Sequence, residues 1–205
     1  MSKQAAERPD AARGGGRGAR QRILDAALML FYRDGVNATG VERLADEASV
    51  SKRTLYQHFP SKTAVVQEYL RHLREGVGDP IHPDSGTTKA SPRARILALF
   101  KTPTGGGIIR GCPFHNAAVE SAGEIPEVHE IVEAHERSFI DGLGDLASQA
   151  GAANPKAVGF QLAVLYEGAA SLSTSLNDTA PWDHARKAAQ RLLDGAIDRR
   201  SERHR

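Results

Sequence analysis

The feature that most constrains this chain is the stretch 39–62, TGVERLADEASVSKRTLYQHFPSK, in which two short helical periods stand only three residues apart. Val41, Leu44, Ala45 and Ala48 fall at i, i+3, i+4 and i+7, so the first period has one narrow apolar face that must pack on something. Thr39 is the expected N-cap, with Glu42 three residues on to close a capping box. After the turn 48–50, Ser51 is placed as the N-cap of a second helix running to about Phe59. Leu55 and Phe59 point inward, and Lys52, Arg53, Thr54, Gln57 and His58 share the other sides. Pro60 ends that helix, and Ser61 caps another with Lys62 in its first turn, where amide donors and an ammonium together suit a phosphate. This is the form of a helix-turn-helix whose second helix fits a major groove, first turn toward the base edges.

Upstream, Ile23, Ala26, Ala27, Leu30 and Phe31 form a helical stripe over 21–34 that Gly35 stops, giving the third helix of such a unit. A fourth helix over 61–75 carries Val65, Val66, Tyr69, Leu70 and Leu73 and is expected to join this unit to the rest. Taken together, Arg22, Ile23, Leu24, Ala26, Ala27, Phe31, Gly35, Leu44, Ala45, Ala48, Val50, Ser51, Thr54, Leu55, Tyr56, His58, Phe59 and Lys62 make the chain resemble the TetR (tetracycline-repressor-like) family of bacterial transcriptional regulators. The resemblance covers roughly 20–70. Ser49 stands where that family usually has a turn glycine, and Gly40 where a Ser or Thr often touches phosphate.

The resemblance implies an all-α chain with an N-terminal three-helix helix-turn-helix domain and a larger helical domain for ligand binding and dimerisation. The expected division is 1–19, a disordered basic arm; 20–75, the DNA-binding domain; and 76–205, the effector-binding and dimerisation domain. Expected DNA contacts are Thr39, Ser51, Lys52, Arg53, Thr54, Tyr56, His58 and Lys62, with Arg53 reading a base and phosphate contacts for Tyr56 and His58 resting on the resemblance. Any one of these charged residues alone is equally a solvated helix face.

Charge distribution agrees with that division. The overall balance is only +2, but residues 1–74 hold 13 Lys and Arg against 8 Asp and Glu, and the remainder 14 against 17. Attraction to phosphate is therefore concentrated in the N-terminal third. Few aromatics and many Ala, Leu, Val and Ile favour helices over sheet. One cysteine, no membrane-length apolar run and no leader of the secretory kind point to the cytoplasm.

The C-terminal part reads as a loop over 76–90, helices over 92–100, 126–150, 155–176 and 182–199, and a glycine-rich loop over 102–111. That loop lacks the Gly-Lys-Ser/Thr ending of a phosphate loop. The last two helices have apolar surfaces too wide for one small domain, and pairing them with a second copy predicts a four-helix homodimer matched to a palindromic operator. The segment GCPFHN at 111–116 is similar, more weakly, to one in ligand domains of the same family. Expected effector-lining residues are Phe100, Cys112, Phe114, His115, Phe139, Tyr166 and Trp182, whose sparse charge suggests an apolar or aromatic small molecule. An alternative makes Cys112 a thiol sensor of oxidants or electrophiles, which needs cationic neighbours; in sequence only Arg110 is near. His115, His129, His135 and Glu136 offer metal-ligand types, but His129 and His135 are six apart and share no helix face, so no metal or cofactor is expected. No nucleophile with a base and an orienting carboxylate is recognisable, so the chain is not expected to be an enzyme.

Overall fold

A computed structural model describes residues 17–76, 90–104, 109–121 and 125–202. Most of the predicted basic arm and of the loop over 76–90 lies outside them. The described residues form helices and no strand: α1 (Arg17–Asp34), α2 (Val41–Glu47), α3 (Lys52–His58), α4 (Lys62–Gly76), α5 (Pro92–Leu99), α6 (Pro113–Glu120), α7 (Pro126–Gln149), α8 (Pro155–Leu176) and α9 (Ala180–Glu202). The helix α6 lies in a stretch that the sequence reading left unassigned.

Two apolar cores hold these helices. The first collects Ile23, Ala27, Leu30 and Phe31 of α1, Leu44 and Ala45 of α2, Leu55 of α3, and Val65, Val66, Tyr69 and Leu70 of α4. It continues into Phe114 and Ala117 of α6 and Val128 and Val132 of α7, so the helix-turn-helix unit rests directly on the C-terminal helices. The second joins Ile96 and Leu97 of α5, Leu143 and Leu146 of α7, Val158, Leu162 and Ala169 of α8, and Trp182, Ala189 and Leu193 of α9. Cys112 packs against both cores.

The crossing of α7 and α8 needs bare backbone. A Cβ on Gly159 would lie 2.5 Å from the Gly144 nitrogen and 2.9 Å from the Ile140 carbonyl oxygen. Gly168 of α8 has open space where a Cβ would stand. It stands in phase with Phe160, Val164, Leu172 and Leu176, which remain 55–63% exposed and form an apolar stripe along α8. No helix among the described residues is long and apolar enough to cross a membrane.

Candidate functional site

The turn between α2 and α3 is held from several sides. Ser51 accepts a hydrogen bond from the Thr54 amide at 3.0 Å, which caps α3, and its hydroxyl lies 2.8 Å from the Thr54 hydroxyl. Arg22 reaches from α1 to donate to the Ala48 carbonyl at 3.0 Å, and the Val50 amide donates to the Ala45 carbonyl at 2.9 Å. Ser49 takes φ 51, the left-handed conformation that glycine adopts without penalty. The unusual serine therefore keeps the turn and carries local strain.

With Leu55 buried beneath it, α3 leaves Ser51, Lys52, Arg53, Tyr56 and Gln57 exposed and Thr54 and His58 half-buried. Arg53 makes no ion pair among the described residues. Lys52 pairs with Glu42, raising the ammonium pKa and lowering that of the carboxyl. Ser61 caps the first turn of α4 by accepting from the Ala64 amide at 3.0 Å. Burial lowers the pKa of the neighbouring Lys62 ammonium.

Thr39 is a correction on two counts. It is fully buried, and its hydroxyl donates to the Gly35 carbonyl at 2.7 Å, so it serves the α1–α2 turn rather than facing DNA. It is also not the cap: Gly40 holds that position, with no side-chain cap, so the capping box with Glu42 does not form.

The C-terminal helices, with Tyr32 of α1 and Leu73 and Arg74 of α4, line a partly open cavity of about 390 Å³. Of the residues expected at an effector site, Cys112, Phe114, Phe139, Tyr166 and Trp182 line it, together with His135, Glu136 and Glu167. Two members of the expected set fall elsewhere. Phe100 is fully buried behind Tyr166, ring centroids 6.0 Å apart, and His115 is half-exposed outside the lining, its Nδ1 4.0 Å from a Glu167 oxygen. Tyr166 is the hub of the aromatic wall, 5.1 Å from both Phe139 and Trp182. Phe114 stacks on His135 at 3.5 Å, which fixes the first turn of α6 against α7.

The cavity is not sparse in charge. Glu136 and Glu167 present carboxylate oxygens that lie, with the Cys112 sulfur, within 4.8 Å of one another. Burial, then the neighbouring Glu167, pushes the Glu136 carboxyl up to about 7. Burial raises Glu167 too, opposed by a hydrogen bond from the Cys112 thiol. Burial and Glu167 push Cys112 up to about 12, the reverse of what a thiolate sensor requires. The signal for both carboxyls was in the sequence: Glu136 follows Val132 by four and precedes Phe139 by three, and Glu167 is spaced likewise between Ala163 and Ala170. Each is a charge in phase with an apolar stripe.

A second group that sequence reasoning missed ties this region to the helix-turn-helix unit. Glu120, the last residue of α6, accepts from the Asn37 amide at 2.8 Å, and the Asn37 side chain donates back to the Glu120 carbonyl at 2.7 Å. Arg110 donates to the Tyr32 carbonyl at 3.1 Å and lies 3.9 Å from the Glu120 carboxylate. At Gly35, φ is +98 and a Cβ would come within 2.7 Å of that carboxylate, so the contact requires glycine.

Residues 23–69 match the family model "Bacterial regulatory proteins, tetR family", and residues 93–189 match "Tetracyclin repressor-like, C-terminal domain". The chain is 44% identical over 85 residues to the HTH-type transcriptional activator FasR of Mycolicibacterium smegmatis, a match spanning 40% of this chain and 38% of FasR. It is 44% identical over 54 residues to the HTH-type transcriptional repressor KstR2 of Rhodococcus jostii, spanning 26% of each. These matches thus span well under half of those relatives. A TetR-family transcriptional regulator from Streptomyces coelicolor has a similar solved structure, with TM-score 0.75 and 26% identity, covering 88% of this chain and 97% of that one.

Proposed function

This chain belongs to the TetR family of DNA-binding transcriptional regulators, and from that premise we propose that it is a homodimeric repressor released from a palindromic operator by a small molecule in the α6–α8 cavity. Each subunit sets α3 into one major groove, with Arg53 reading a base edge, most simply the O6 and N7 of guanine. Lys52, Thr54, Tyr56, His58 and Lys62 hold the backbone, Lys52 exchanging Glu42 for a phosphate, and Ser51 presents the helix start. The exposed apolar stripe Phe160, Val164, Leu172 and Leu176 supports pairing of two subunits through α8, with α9 alongside.

One observation carries the regulatory part: α6 has its first turn in the cavity wall and its last residue on the α1–α2 turn. A ligand that fits the cavity better with α6 displaced pulls Glu120 from Asn37 and resets the angle of the reading helix. Only that difference in affinity, not tightness itself, releases DNA. Chemistry at Cys112 has no comparable support, because its thiol is held protonated far above neutral pH.

Hydrogen exchange on the full chain tests the route without any effector. Binding of an operator duplex selected from a random pool should protect α2 and α3 and also residues 109–121. Glu120→Ala should keep the first protection and lose the second. Wild-type protection confined to α2 and α3 contradicts the route.

A further inference from the structure

The cavity is apolar in shape and acidic in its interior, a combination that narrows what it can hold. Its volume suits a small organic molecule. Phe139, Tyr166 and Trp182 supply ring surface. Glu136 and Glu167, from adjacent helices, add two carboxyls to the same lining. Among the described residues neither has a Lys or Arg partner, and the basic residues of the lining, Arg74 and Lys101, are exposed. The two carboxyls are half-buried, the nearest basic group is the half-exposed His115 at 4.0 Å from a Glu167 oxygen, and without a full counter-charge the pair costs desolvation and mutual repulsion.

We propose that the effector is an organic cation, an aromatic or apolar body bearing one positively charged nitrogen, seated between the Glu136–Glu167 pair and the Phe139–Tyr166–Trp182 rings. This rests on the cavity being the effector site and names the class of molecule it takes. The carboxyls provide the counter-charge, and the ring faces attract the same cation through their quadrupoles. A bare divalent metal at Cys112, Glu136 and Glu167 would leave the aromatic wall and most of the volume without a role.

The chain has a single tryptophan, so its emission reports cavity occupancy directly. Full-length protein at pH 7.5 is titrated with 3-hydroxyphenyltrimethylammonium, its neutral isostere 3-tert-butylphenol, and 3-hydroxybenzoate. The cation should bind at least tenfold more tightly than either. The double variant Glu136→Gln, Glu167→Gln should lose that preference while binding 3-tert-butylphenol within twofold of wild type, which also shows that the cavity is still folded. Equal or tighter binding of the neutral or anionic probe overturns the cationic assignment and leaves the cavity as effector site. No response to any probe overturns both. Saturable binding of zinc alone that excludes the cation and is lost in Cys112→Ser replaces the assignment by a metal site.

Discussion

The reading helix α3 and the cavity wall of α7 and α8 carry their charge in opposite ways. On α3, Arg53 stands in solvent and Lys52 in an exposed pair with Glu42, above a single buried leucine, where charge costs little. On α7 and α8, Glu136 and Glu167 are turned inward beside aromatic rings, where charge is costly unless something arrives to balance it. One surface is complete before its partner comes; the other is held in deficit. Under the proposed function, specificity for DNA rests on exposed groups of a capped helix, and responsiveness on half-buried groups whose energy a ligand can change.

The largest effect expected comes from the exposed apolar face of α8, proposed to join two subunits. Replacing Phe160 and Leu172 together by glutamate should leave a monomer in sedimentation and weaken operator binding by about 10²-fold or more, because the two heads then bind separately. A variant that stays dimeric would move the interface away from α8.

The buried carboxyls give the next effect, and its sign follows from the raised pKa. An acid held at about 7 when folded, against an ordinary value of 4.5, keeps its proton to higher pH in the folded state than in the unfolded one. Stability therefore falls as pH rises from about 4.5 to 7, and the full cost stands above that range. Glu136→Gln should raise stability at pH 8 by about 1–2 kcal/mol, allowing for solvent screening, and change it little at pH 4. Thermal unfolding at the two pH values measures the difference. Since Cys112, His115, His135, Tyr166 and Glu167 also face or approach this group, comparison with the Gln variant isolates its share. A gain equal at both pH values would mean that packing, not charge, separates the two sites.

The smallest effect tests the reading head itself. Ser49→Gly should stabilise the turn by about 0.5 kcal/mol, the relief of φ 51 offset in part by the greater freedom of glycine when unfolded. Denaturant melts at matched slopes resolve it. A loss would show that the Ser49 side chain supports the turn.

How much of this was legible in the sequence follows the same division. The helix-turn-helix was readable because its logic is local: Ser51 caps three residues ahead, Leu55 and Phe59 repeat at four, and Pro60 closes the helix. Even there Thr39 misled, since its spacing to Glu42 fits a cap while its hydroxyl is taken by the Gly35 carbonyl. The helices α7 and α8 were readable from their stripes. Each cavity carboxyl shows as a charge in phase with an apolar stripe, but their pairing does not, because Glu136 and Glu167, far apart in the chain, meet only across two helices. The contact of Asn37 with Glu120 spans 83 residues and leaves no local pattern at all.

The most direct test of the central claim, that α3 reads a symmetric operator through Arg53, is selection of bound sequences from a random duplex pool at fixed salt, with wild type, Arg53→Ala and Lys62→Ala side by side. Wild type should enrich a two-fold symmetric site. Arg53→Ala should lose preference at one position in each half-site, at about 1–3 kcal/mol, while Lys62→Ala keeps the same site and binds all sequences more weakly. Identical preferences in all three proteins would contradict the assignment of Arg53 as the base-reading residue, and no enrichment by wild type would contradict the claim as a whole.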